Sequence, residues 1–470
     1  MSIFVAAPIV DDMTLSESFT GRTPLTTSET VITKENVRDL VDRARAKHRS
    51  DVVEMEYLWR YYHGVQPILL REKLIRPEIN NKIVENHAQE IVTFFNGYFL
   101  GDPIVYSRFG SGADTDNVEE LNKRMRGHNK EAADLELAEW LFVCGRGYRI
   151  ALPGTSSDDF IIDTLDPRRA FVLRSTAIGR PVLCGVQLVR KDDGTELVCG
   201  YTKEAYFEYD PGKDGLRWQP HTMGRVPIIE YTANHIQMGA FEPVLTLLDA
   251  INLATSNRLD GVEQFIQNLM VLYNADIDGA MLKQIQAYGL IKLMSPQGVQ
   301  ADVKFIQQQF DQADAQILID AMLQTVKDII GMPNRIKGTG GGTSGNVGSV
   351  IMWQGWELCA ARTQIIEGYF KASEREFLSL VLSFMKTKKI LDIDSNDLDI
   401  KFTRRQYDAS ITKVQILQGL LAAGVDKVTA CTVSGLFSDP VSTATKMEDQ
   451  DEPITEPSPG DSDSDLESNQ

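Results

Sequence analysis

At 470 residues the chain is too long for one ordinary hydrophobic core, and its 43% hydrophobic and 24% charged residues are those of a folded rather than a disordered protein. No stretch reaches the roughly 18 uncharged apolar residues that span a bilayer, and Met1 to Val10 lacks the basic start of a secretory signal, which argues against a membrane pore. The net charge of −18 argues against a protein that grips duplex DNA through clustered Lys and Arg.

The elements begin with an amphipathic helix over residues 33–62, where Val37, Leu40, Val41, Ala44, Val52, Met55, Leu58 and Tyr62 recur mostly at three- and four-residue steps and His63-Gly64 ends the run. A second helix lies within 74–100, with Ile83, Val84, Ile91, Phe94 and Phe95 along one side, and Gly101-Asp102-Pro103 stops it. Residues 117–142 read as helical again. Seven short β runs follow, over 148–151, 160–165, 170–174, 182–190, 197–202, 205–209 and 226–231. Between them Asp192-Asp193-Gly194 and Asp210-Pro211-Gly212 are hairpin turns in which Gly supplies a positive φ.

From Phe241 the residues Val244, Leu248, Ile251, Thr255, Val262, Phe265 and Leu269 step by three and four, with Arg258 at the one polar step. The spacing predicts a rod to about Tyr273, roughly 50 Å long. Ala254 and Gly261 on neighbouring turns allow close helix approach. A small α/β insert follows, with a helix over 281–288 and strands over 290–294 and 303–307. A second rod spans 310–330, closed by Gly331-Met332-Pro333. After a Gly-rich stretch, a long helix over 349–386, a strand over 398–403 and helices over 413–423 and 427–437 complete the body. From Glu448 to the end there are nine acidic residues and no basic one, which predicts a solvated tail and leaves −9 on the rest.

Five cysteines are scattered, odd in number and never spaced C-x-x-C, and no H-E-x-x-H is present. The residues therefore suggest neither a disulfide framework nor a metal site. Residues 338–345, Gly-Thr-Gly-Gly-Gly-Thr-Ser-Gly, suggest a phosphate cradle, and a nucleotide-binding enzyme using this loop is the alternative reading. A P-loop, however, needs a Lys after its glycines and a strand before them, and here neither is present.

Several stretches together resemble the SPP1-type portal family of tailed bacteriophages, collinearly over about residues 37–410. They are Tyr61-Tyr62-His63-Gly64, Asn80-Asn81-Lys82-Ile83-Val84-Glu85-Asn86 and Gly97-Tyr98-Phe99-Leu100-Gly101-Asp102-Pro103-Ile104. Val226-Pro227-Ile228-Ile229-Glu230-Tyr231, Phe241-Glu242, Leu248-Asp249-Ala250-Ile251-Asn252 with Ser256, and Thr343-Ser344-Gly345 follow in order. The chain departs from the family's Phe-x-x-Asn-x-Pro pattern at Phe402 to Tyr407, and the acidic residues expected after Asp439-Pro440 are missing.

The resemblance implies an α+β, mainly helical portal fold assembling into a ring around a central channel. It implies an arm over 1–30, expected to be flexible, and a wing over 31–240. The stem helices are 241–273 and 310–333, bracketing a clip over 274–309. A tunnel loop spans 334–350, a long wing helix and return strand 351–400, a crown 401–445, and a tail 446–470. It implies no enzyme activity and no cofactor or metal. Its partners are further copies of the chain, as a dodecamer in the virion, and double-stranded DNA passing without sequence specificity. The terminase large subunit, the major capsid and scaffolding proteins and the head-tail adaptor complete the set, with the host cytoplasm as the place of assembly.

Candidate DNA-channel loop residues are Asn334, Arg335, Lys337, Gly340, Gly341, Gly342, Thr343, Ser344 and Asn346. Candidate channel-lining stem residues are Asp260, Glu263, Asp320 and Lys327. Candidate clip docking residues are Lys283, Gln284, Lys292 and Lys304.

Overall fold

One helix, α1 (Val37–Tyr62), serves two cores, because its apolar stripe changes partners near His48. Val37, Leu40, Val41 and Ala44 pack on a β-sheet, whereas Met55, Leu58 and Tyr61 join the main helical core. The computed structural model describes residues 19–74, 76–108, 115–154, 159–266, 269–273, 302–306, 312–333, 356–402 and 410–437, with Pro440, Thr443, Ala444 and Met447.

The sheet under α1 has six strands. In spatial order they are β1 (Leu25–Thr27), β5 (Ala170–Ser175), β6 (Val182–Arg190), β7 (Glu196–Thr202), β8 (Ala205–Tyr209) and β9 (Arg217–Pro220), antiparallel except for the β1–β5 pair. A three-stranded antiparallel sheet, β10 (Ile228–Thr232), β3 (Arg146–Pro153) and β4 (Phe160–Leu165), shares a small core with it through Tyr148, Ile150, Val172 and Ile228. The seven expected β runs are all strands. The short β1, β2 (Val105–Arg108) and β9 went unread because three or four residues are too few for alternation to register.

Of the two turns expected to carry a left-handed glycine, Gly194 does so at φ +81°. In the β8–β9 connection the positive φ sits at Gly215 instead of Gly212. Gly145, at φ +76°, caps the helix Lys130–Cys144, and a Cβ there would meet the Gln237 carbonyl oxygen at 2.2 Å, so both the turn and the close approach require glycine.

The helical part packs α2 (His87–Phe99), α3 (Thr115–Gly127), α4 (Lys130–Cys144), α5 (Leu245–Ile266), α6 (Gln312–Ile330) and α7 (Trp356–Thr387) around the main core. The single helix expected over 117–142 is two, broken at His128-Asn129, where Asn129 adopts φ +53°. The first rod stops at Ile266 and does not run to Tyr273. Residues 269–273 form β11 (Leu269–Tyr273), paired antiparallel with β12 (Asp302–Ile306) so that Leu269 lies opposite Ile306. A continuous apolar run such as Leu-Met-Val-Leu-Tyr fits helix and strand equally, and the partner strand decides.

Residues 19–30, expected within a flexible arm, hold β1 and a fully enclosed Arg22 side chain. At the other end β13 (Leu398–Lys401) pairs with β2, and α8 (Ser410–Ala422) packs on α9 (Lys427–Ser434) around Leu417, Ala430, Cys431 and Ala444.

Candidate functional site

Between α1 and α2 the chain runs along α5 as a mostly irregular strap, residues 63–86, with one 3₁₀ turn at Pro67–Leu70. Such a segment lacks a ladder for its backbone groups, so side chains must satisfy them. On α5, Asp249, Asn252, Ser256 and Asp260 recur at three- and four-residue steps and so share one face.

That face meets the strap group by group. The Asn252 Oδ1 accepts from the Glu85 N–H at 2.8 Å, and the Ser256 hydroxyl oxygen accepts from the Ile83 N–H at 3.0 Å. Thr255 donates to the Glu85 carboxylate at 2.8 Å, and Asn252 Nδ2 donates to Gln66. Asp260 Oδ1 accepts from both the backbone and the side-chain amide of Asn81, at 2.8 and 2.9 Å. Its other oxygen pairs with Arg71 at 3.0 Å and with Lys73. Burial pushes the Asp260 carboxyl up, but the bonds from Lys73 and Asn81 outweigh it and hold it below the ordinary carboxylate range. One turn above the strap, Asp249 accepts from the Tyr61 hydroxyl at 2.9 Å, and burial lifts this carboxyl to about 6.

The opposite side of α5 faces α6, where Arg258 bonds Gln316, and Gln316 donates to Asp320 at 2.7 Å. The Arg362 guanidinium on α7 donates to the Ile329 carbonyl at 2.7 Å and ties α7 to the end of α6.

Two buried charge clusters brace this helical layer against the sheets. Glu374 on α7 pairs with Lys130 at 2.9 Å and Arg149 at 3.4 Å, and accepts from the hydroxyls of Tyr106 at 2.6 Å and Tyr231 at 2.7 Å. Burial would raise its carboxyl, but Lys130, Arg149 and the Tyr106 hydroxyl hold it well below the usual range. Arg22 pairs with Glu242 at 3.1 Å and Glu54 at 3.3 Å, and donates to the carbonyls of Cys144 and Gln237.

Among the residues singled out from the sequence, Asp260 lies at the joint of strap and α5. It is buried and its carboxylate is taken up by Arg71, Lys73 and Asn81, so within the subunit it fastens the strap. Glu263 is half-buried one turn further along α5, Asp320 is exposed on α6, and Lys327 is half-buried near the end of α6. Lys304 lies on β12 opposite Val271. The loop residues Asn334, Arg335, Lys337, Gly340, Gly341, Gly342, Thr343, Ser344 and Asn346, with Lys283, Gln284 and Lys292, lie outside the described residues. The expected helix over 281–288 and strand over 290–294, the start of the long helix before Trp356, and the acidic tail do so too.

Sequence reading missed Arg22, Arg71, Lys73 and Glu374. For Arg71 and Lys73 a signal existed, since two bases precede the Asn80–Asn86 motif and need a carboxylate once buried. Arg22 and Glu374 find their partners at separations that local periodicity does not reveal.

Residues 42–456 match the family described as phage portal protein, SPP1 Gp6-like. The chain belongs to this portal family. As a portal protein it is a structural component of the phage capsid and virion rather than a member of an enzyme family. No curated protein sequence matches the chain. A solved structure from the virion of a native gene transfer agent particle is similar at 13% identity and a TM-score of 0.40, covering 82% of this portal protein and 94% of that chain.

Among the described residues of the portal protein no group of three or more His, Cys, Asp or Glu is placed to hold a metal ion. No described helix is long and apolar enough to cross a membrane. Burial pushes the thiols of Cys144 and Cys184 up to about 12, which keeps them protonated and poor nucleophiles at neutral pH.

Proposed function

We propose that copies of this portal protein close into a ring, a dodecamer in the virion, at one capsid vertex. The α5–α6 hairpin forms the stem of a channel through which double-stranded DNA enters and leaves. The observation that carries this reading is the joint on α5. Family-like stretches from residues 61–64, 80–86 and 248–256, far apart in sequence, converge there to fasten one helix of the hairpin. A hairpin so fastened is a rigid stave, which a channel wall requires.

In this reading Glu263, Asp320 and Lys327 are the candidates for the channel surface, and residues 334–346 form a collar around the duplex. Each phosphate neutralised by a base strengthens binding, so a mixed or acidic lining lets DNA slide. A net charge of −18 is consistent with that. The insert after β11, with Lys283, Gln284, Lys292 and Lys304, docks the terminase large subunit and later the head-tail adaptor. Scaffolding and major capsid proteins surround the ring as it assembles in the host cytoplasm.

Negative-stain microscopy with native mass on the purified protein tests the reading. Closed rings with a central hole and about a dozen subunits are expected. A monomer that binds ATP would overturn the reading in favour of an enzyme using residues 338–345.

A further inference from the structure

We propose that neighbouring copies join through two different faces flanking the hairpin: the outer edge of the strap on one copy seats on the outer face of α6 and the start of α7 on the next. This rests on the ring reading above and names the surfaces that close it.

The helix α5 is the middle of a three-layer stack. Asp260 binds the strap and Arg258 binds α6. Two residues of helix turn through about 200°, so strap and α6 flank α5 from opposite sides. Each outer layer leaves large apolar side chains uncovered. On the strap these are Leu69, Leu70 and Leu74, the last 92% exposed. On α6, Ile319, Val326 and Ile330 are buried toward α5, while Ile317 (65% exposed), Leu318 and Ile329 point away. Exposed Ala321 and Thr325 lie between them, small enough for another backbone to come close. The Arg362 bond to the Ile329 carbonyl extends this surface onto α7, where Leu358 and Ile365 are exposed.

Charge selects between the possible occupants. On this outer face of α6 the exposed charges are Asp314 and Asp328, both acidic, so the face would repel its own copy. The strap sets Lys82 and half-buried Arg76 against exposed Glu72 and Glu78, a balanced set that brings bases to the acidic face without the like-charge repulsion of a second α6. Two different patches on opposite sides of one layer make a heterologous contact, which repeats by rotation instead of stopping at a dimer.

The test is a chain carrying both Leu70→Cys and Ile317→Cys, treated with a short bismaleimide after assembly and run on a denaturing gel beside native mass of the same sample. A ladder extending beyond dimer toward the whole ring is expected. Either single variant alone should give no ladder, and a mixture of the two singles should give nothing larger than dimer. The pair Leu74→Cys and Leu318→Cys repeats the experiment at neighbouring exposed positions, so that one poorly folding variant does not decide it. Closed rings that give no ladder with either pair, though both thiols react with a small maleimide before assembly, overturn this interface and leave the ring reading standing. A natural sequence that never forms rings overturns both.

Discussion

Burial lifts the Asp249 carboxyl to about 6 from an ordinary 3.8. Between those values the folded chain keeps a proton that the unfolded chain has released. The stability from this group is therefore present below about pH 4 and lost as pH rises through 6, on the order of 3 kcal/mol. The buried ring of His48 runs the other way. Burial and the Arg146 charge hold it at about 3, so stability is lost as pH falls from 6.5 toward 3. Each slope is about 1.4 kcal/mol per pH unit, and between pH 4 and 6 the two oppose each other. Asp249→Asn removes one of them. In urea denaturation across pH, the variant's stability relative to the natural chain should rise by roughly that slope from pH 4 to 6 and level off above. A difference constant with pH would refute the assignment.

Glu374→Gln keeps the shape but leaves Lys130 and Arg149 short of a counter-charge, at a cost of about 3–5 kcal/mol. Because the Glu374 carboxyl is depressed, its contribution is present above about pH 4.5 and lost as pH falls toward 2. The variant's penalty should shrink over that window, and a penalty that persists unchanged at low pH would contradict the ionised pairing.

At the scale of elements, the joint between strap and α5 depends on polar side chains that an amphipathic reading passes over. The helix itself was legible from Leu248 and Ile251. The polar Asn252, Ser256 and Asp260 had no visible partner within their own stretch, because the N–H groups they satisfy lie about 170 residues earlier. Asp260→Ala strands Arg71 and Lys73 in a buried position. Amide hydrogen exchange over residues 71–86 is expected to speed up by roughly 10- to 100-fold, with α7 unchanged. Unaltered exchange in the strap would mean that Asn252 and Ser256 hold it without Asp260. The same limit explains the first rod. Its apolar steps continue to Tyr273, yet the chain leaves the helix at Ile266 because β12 offers residues 269–273 a ladder.

For the whole molecule, β11 and β12 pair with each other, and that ladder gives the proposed docking insert its base. Replacing residues 275–300 with a short Gly-Ser turn should therefore leave assembly intact and abolish recruitment of the packaging motor. Native mass and motor pull-down on the same preparation check this, and shortened rings that still bind the motor would refute the docking role. The exposed apolar side chains of the strap, α6 and α7 belong to this scale too. Exposed in the lone subunit, they would leave water in the proposed ring.

The sequence by itself located the first long helix, the seven main β runs and the helical parts of the two rods, because apolar spacing is written within a dozen residues. Its ordered motifs also carried the portal resemblance that the family match over residues 42–456 bears out. Only the tertiary structure decided that α1 serves two cores, that Arg22 is enclosed, that residues 269–273 are a strand and that Asp260 is a buried fastener. Each of these depends on a partner brought from a distant part of the chain. A buried charge or an ambiguous apolar run takes its role from what folds against it, and no local window contains that information.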